Sequence, residues 1–411
     1  MTRDRRSEVW IVGVGLVSSL GEGTDAHCTA LSDQAAPPRV TDEARFPGYA
    51  IHPLADIDFS RQIAKASDQR QMERWQRIGV YAAGLAIDDA GLRGEPALLD
   101  ATDLAIAAGN GERDLAFDTK VLETADAAPI HSEHLNTLLS TGLRPTLYLG
   151  ELSNLLAGNI SIVHHVTGGS RTFKGEEAAG FAALGDAFRR IEAGQTDRVL
   201  VGGALNAERA DLLLNLEIGN ALWHGAYRPI GERQANGGGM VPGSIGAFLV
   251  LERAESAVAR GAKPYARLAA VVADQCPRAG EGDIAASLGQ LMTRLERASV
   301  NGTLVVLSGA SGVQPATGEE RRFLSRLAEA GRGPVVRTYG NAVGHGVEAH
   351  FVSGVALGAL GLCKGTAYRP LEAGERAAEG AAAPSHALVT GVGHWRGEAL
   401  ALLEACGRDG A

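Results

Sequence analysis

Short, almost wholly apolar runs alternate along this chain with longer stretches whose apolar residues recur at helical spacing, and that alternation leaves few architectures open. Runs such as AFLVLE at 247–252, LVVLS at 304–308 and HALVTGV at 386–392 present little polar surface on either side. Strands of this kind must be covered on both faces, which calls for helices packed over a sheet. Further runs of the same character lie at Val9–Val14, 103–109, 198–202, 266–274, 334–338 and 399–405. Helical spacing marks Thr24–Leu31, a long stretch from Asp68 to a stop at Gly91, 177–193, 318–330 and the apolar segment after His350. GNISIVHHV at 158–166 carries strand signals, and 111–150 reads as an excursion with short helices. The class is therefore α/β. Two halves with similar element order suggest an internal duplication, dividing the chain into 1–255 and 256–411.

Composition agrees with tight helix-on-sheet packing: 54 glycines, 45% hydrophobic residues and only 5% aromatics in 411 residues. A formal charge of −9 argues against a nucleic-acid partner. Cys28, Cys276, Cys363 and Cys406 lie far apart with no CxxC pair, so neither a disulfide framework nor a zinc site is expected. Cys28 and Cys406 read as packing residues. The basic cluster at the start runs straight into a strand rather than an apolar export segment, and Phe351–Cys363 is too short and too glycine-rich to span a bilayer. A cytoplasmic location is the expectation.

Six landmarks, in order, carry a resemblance: VWIVGVGLVSSLGEGTDA, MERWQRIGVYAAGLAIDDAGL, GNISIVHHVTGG, ALGDAFRRIEAGQTDRVLVGGA, FLVLERAESAVARGAKPYARL and GNAVGHGVEAHF. Together they resemble the thiolase-like β-ketoacyl-ACP synthase family over essentially the whole chain. The resemblance implies a thiolase-like duplicated fold layered α-β-α-β-α. Its chemistry uses a cysteine thiolate at a sharp strand-to-helix elbow, where the helix N-terminus lowers the thiol pKa. That position falls on Glu177, and the strand before it on Ser170–Lys174. Of the two histidines that stabilise developing negative charge in such enzymes, the first position holds Ser308 and the second His345. Gly340 stands for the family's lysine, Val392 for its phenylalanine and Ser244 for its acidic loop residue.

Such a pattern is similar to a chain-length-factor-like member that lacks the nucleophilic cysteine. It implies a non-condensing subunit that forms a heterodimer with a cysteine-bearing ketosynthase and works with acyl carrier protein in bacterial fatty acid or polyketide-type elongation. No cofactor of its own is expected, the phosphopantetheine being carried by the carrier protein, and no metal. Two alternatives stay open: a malonyl-ACP decarboxylase or acyltransferase using Glu177 and His345, and a homodimeric carrier-binding protein. Glu177 is either an acid or base paired with His345 or a plug in the old thiol site; His345 is either a catalyst or a retained structural histidine. His164 and His165 read as polar neighbours of a loop or interface. Arg70, Arg74 and Arg77 form either a solvated face or a contact for an acidic carrier. Trp395 is expected to narrow a pocket mouth. NGGGMVPGSIG lacks a P-loop lysine and is not read as a phosphate cradle.

Overall fold

The computed structural model describes residues 8–33, 40–127, 132–143, 147–295, 302–377 and 382–406. The amino-terminal basic cluster and Arg144–Thr146 lie outside the described residues. Among the described residues eleven strands form one mixed sheet: β1 (Val9–Ser18), β2 (Gly21–Glu22), β3 (Asp103–Ala108), β4 (Ser170–Lys174), β5 (Arg198–Leu205), β6 (Ile245–Arg253), β7 (Ala266–Asp274), β8 (Leu304–Ser308), β9 (Val335–Thr338), β10 (His386–Val392) and β11 (Glu398–Glu404). Their order is β4-β3-β5-β6-β1-β7-β11-β10-β8-β9, with the short β2 paired to β1.

That order contains a repeat. Counting long strands within each half, both β1–β6 and β7–β11 stand as third, second, fourth, fifth, first from their outer edge, and the halves meet through antiparallel β1 and β7. The outer pairings β3–β4, β3–β5, β8–β9 and β8–β10 are parallel, and those nearer the junction are antiparallel.

Alternation along each strand sends side chains into different cores. In β6, Ala247, Leu249 and Leu251 enter a central cluster while Phe248 and Val250 join an outer one built on the helix Arg74–Asp89. In β11, Ala399, Ala401 and Leu403 enter the same central cluster, whereas Leu400 and Leu402 meet the helices Asp283–Leu295 and Ala316–Leu327 on the far side. The central cluster is filled by two helices, Glu177–Glu192 and His350–Lys364. Phe181 and Phe351 join them edge to face at 4.9 Å between ring centroids. The two halves of the one continuous sheet thus cover the central helices from opposite sides, and the layers alternate helix, sheet, helix, sheet, helix. The segment Val347–Lys364 is long and apolar enough to cross a membrane, yet it is the buried core helix, and that packing accounts for its composition.

Two local expectations need correction. The stretch after Asp68 is two helices, Ala66–Gln71 and Arg74–Asp89, because Glu73 caps the second: its side chain accepts from the first-turn backbone while its amide donates to Gln76 Oε1 at 3.0 Å. GNISIVHHV belongs mostly to the helix Leu155–His164, not to a strand. Leu156, Ile160 and His164 recur four residues apart and pack toward the helix Arg74–Asp89, so tertiary burial overrides the strand preference of isoleucine and valine.

Candidate functional site

Edge strand β4 turns sharply at Gly175–Glu176 into the helix Glu177–Glu192, and Glu177 is its first residue, 2% exposed. A carboxylate there sits at the positive end of the helix dipole. Two imidazoles complete its surroundings. His345 Nε2 donates to Glu177 Oε1 at 2.8 Å, and His394 Nδ1 lies 2.9 and 3.0 Å from the two carboxylate oxygens. The His394 backbone N–H adds a third donor at 3.2 Å. Burial alone would raise the Glu177 pKa, but the His394 charge and the hydrogen bonds from His345 and His394 hold it well below the usual carboxylate range. Burial opposes a charge on His394, yet the Glu177 carboxylate lifts its pKa above the ordinary histidine value. The two shifts favour an ionised Glu177 paired with a protonated His394, and His345 bonds to the same carboxylate. A carboxylate so stabilised is a poor base, and it offers no thiol chemistry.

Loop geometry brings His394 in. The Gly393 N–H donates to Gly397 O at 2.9 Å, closing a tight turn, and Arg278 Nη2 donates to Gly397 O at 3.3 Å and to Glu398 Oε1 at 2.8 Å. The turn directs His394 inward and leaves Trp395 68% exposed at its tip.

His345 arrives after the short helix Gly340–Val343. Its ring lies 4.1 Å from that of His350, which stacks at 4.4 Å on Tyr339. The Gly346 amide donates to His350 Nδ1 at 3.2 Å, so that nitrogen carries no proton; burial, then the neighbouring His345, pushes the His350 pKa well down. Val347 adopts φ 43°, a conformation that β-branched residues avoid, and Glu348 follows it into the interior. Glu348 Oε1 accepts from the Gly109 amide at the end of β3 at 3.2 Å, and burial raises its pKa to about 8.

Of the positions singled out from sequence, Glu177 and His345 meet, although 168 residues separate them. The Ser308 hydroxyl bonds to neither of them: it donates to Glu320 Oε1 at 2.9 Å, and Thr390 Oγ1 donates to the same oxygen. Gly340 lies against Ala310 O, Ile230 and the His350 ring. Ser244 is buried and accepts from the Ala207 amide at 3.0 Å, and Val392 joins the cluster under the helices Asp283–Leu295 and Ala316–Leu327. His164 bonds to Val80 O at 2.8 Å and His165 ends its helix at φ 59°, so both serve the helix packing. Arg74 pairs with Glu208 at 2.7 Å, Arg77 lies over the Phe59 ring at 5.5 Å, and Arg70 lines an open groove with Gln69 and Arg77. Cys28 is buried, as a packing residue should be, and Cys406 is half-buried. Among the described residues no group of three metal-type ligands is placed to hold an ion.

Sequence reading missed His394, Glu348, His350 and Tyr339 as site neighbours. Only GVGHW carried a signal for the first, as a polar residue directly after a glycine turn.

The family model "Beta-ketoacyl synthase, N-terminal domain" matches residues 6–257. A ketoacyl synthase beta subunit of tetracenomycin polyketide synthase from Streptomyces glaucescens is 27% identical over 341 residues, 80% of this chain and 79% of that one. The actinorhodin polyketide putative beta-ketoacyl synthase 2 of Streptomyces coelicolor is 28% identical over 333 residues, 78% of this chain and 77% of the relative. A 3-oxoacyl-[acyl-carrier-protein] synthase 2 from Vibrio harveyi is 26% identical over 275 residues, 64% of this chain and 62% of the relative. Among solved structures, the ishigamide ketosynthase/chain length factor superposes with a TM-score of 0.76 at 21% identity, covering 98% of this chain and 100% of that one. A β-ketoacyl synthase from Burkholderia phymatum gives 0.77 at 19% identity, covering 97% and 100%. The architecture shared with them is the thiolase-like α/β fold.

Proposed function

The chain belongs to the β-ketoacyl synthase family, and from that footing we propose that it is a non-condensing, chain-length-factor-like subunit, which pairs with a cysteine-bearing synthase during acyl elongation on a carrier protein. The observation that carries this reading is Glu177. It stands at the first residue of the elbow helix, the place where the family's chemistry needs a thiol, and it is neutralised and enclosed by His394 and His345. Ser308, turned to Glu320, supplies no second imidazole.

Two further features support the pairing. Among the described residues, strand β4 lies at an edge of the sheet and pairs with β3 alone, so its outer side can accept another strand. Arg171 on it is exposed and pairs with Asp186, while Phe173 is half-buried against the central cluster. A relative is named as a beta subunit, and a structural neighbour as a ketosynthase/chain length factor.

Coexpression with a cysteine-bearing synthase from the same genome tests the proposal. A stable 1:1 complex is expected, and Phe173→Asp should weaken it or shift product length while leaving the partner's thiol reactivity unchanged. Sedimentation showing two independent homodimers, with product length unchanged when this chain is omitted, refutes the pairing and leaves the homodimeric enzyme and carrier-binding readings.

A further inference from the structure

The surroundings of Glu177 make a complete binding site for a carboxylate. His345 Nε2 and the His394 N–H both donate to Oε1, and His394 Nδ1 lies within hydrogen-bond distance of both oxygens. Glu177 is the first residue of the elbow helix, so the positive end of the helix dipole lies at the same point. His345 is 2% exposed, and its other ring nitrogen, Nδ1, is buried without a hydrogen-bond partner. Removing the Glu177 carboxylate would therefore leave this imidazole with no polar partner in the interior, a costly state for any buried donor. The donors are also held from outside the site. Arg278 and the Gly393–Gly397 hydrogen bond fix the His394 turn, while the His350 ring packs on that of His345.

We infer that His345, His394 and the elbow-helix N-terminus form a preorganised site for small monocarboxylates, which Glu177 occupies from within as an intramolecular ligand. The covalent tether gives the side chain a high effective concentration, so a free carboxylate cannot compete in the native chain. The inference goes beyond the pairing proposal and does not depend on it, since it concerns one subunit alone. It also gives Glu177 a role different from a catalytic base: the residue is the site's own occupant.

Glu177→Ala tests this in the full-length chain. Alanine keeps Cβ and suits a helical first turn, and acetate has the same heavy atoms as the part of the side chain that is removed. Thermal unfolding is followed during titration with sodium acetate, against sodium chloride at matched pH and ionic strength. The variant should melt below the native protein, and acetate should raise its melting temperature saturably, with an apparent affinity at least about tenfold tighter than any response of the native chain. Adding His394→Ala to the variant should abolish the effect. An equal acetate response in native and variant chains overturns the inference; so does an equal response to chloride, or one that survives loss of His394.

If Glu177→Ala does not fold, Glu177→Gln supplies the reading, because the amide fills the same space without charge. The His394 ring, followed by NMR, should then titrate at lower pH than in the native protein. An unchanged His394 titration overturns the assignment, since the carboxylate would not be what the imidazole holds.

Discussion

Glu348 Oε1 accepts a hydrogen bond from the Gly109 amide at 3.2 Å, tying the strained segment after His345 to the end of β3 across 239 residues of chain. The acid is fully buried and its pKa is raised from 4.5 to about 8, chiefly by burial, with the Glu177 charge adding to the rise and Arg209 opposing it. A raised carboxyl pKa gives stability that is complete below the unfolded value and is lost as pH climbs toward the folded value. Native stability should therefore carry a downward component between pH 4.5 and about 8. Glu348→Gln keeps an acceptor for Gly109 and removes the titration. Denaturant unfolding at pH 5 and pH 9 should show that this variant loses less stability over the interval, by several kcal/mol at roughly 1.4 kcal/mol per pKa unit.

The Glu177–His394 pair has the opposite dependence on its acid side. Glu177 is held below 4.5, so its contribution is present above that pH and lost as pH falls through the depressed value. His394 is held above 6.5, so its contribution is complete below that pH and lost as pH rises through the raised value. His394→Ala should cost most between those limits, about 1–3 kcal/mol for a buried charge-assisted contact, and less at either side. A stability difference that is flat from pH 3 to pH 9 would show that the two groups are not coupled.

Intact-mass measurement after incubation with acyl and malonyl carrier proteins should detect no acyl adduct on the native chain, because no thiol stands at the elbow. Glu177→Cys alone should leave condensation about 10³-fold or more below that of a cysteine-bearing synthase, if Ser308 and Gly340 stand, as the family resemblance implies, where such enzymes carry a histidine and a lysine. Efficient β-ketoacyl product from that single variant would show that the remaining residues suffice.

Gly180 lies under the loop that carries Glu348. A Cβ at this position would sit 2.6 Å from Glu348 O, a backbone atom that cannot rotate away. Gly180→Ala, although favourable for an isolated helix, should destabilise the protein by about 1–3 kcal/mol. Equilibrium unfolding that gives equal or greater stability would mean that the loop shifts without cost.

Several features followed from the amino-acid order alone. The apolar runs at 247–252 and 304–308 became β6 and β8 because a strand buried on both faces has no polar side to show. The absence of a thiol near the elbow was equally plain, since it is a matter of composition and position. GNISIVHHV at 158–166 was misread because isoleucine and valine favour strands locally, and only the packing of the helix Leu155–His164 on the helix Arg74–Asp89 selects the helical form. The sheet order and the site belong to the tertiary structure. His345 and His394 reach Glu177 from 168 and 217 residues away, and no local periodicity specifies which imidazole a given carboxylate meets. The same holds for Ser308, whose hydroxyl found Glu320 rather than the elbow. Periodicity records which face of an element is dry, because burial acts residue by residue. Hydrogen-bond partners within the dry interior are chosen only when the layers close, and that closure made Glu177 an enclosed carboxylate rather than an exposed helix cap.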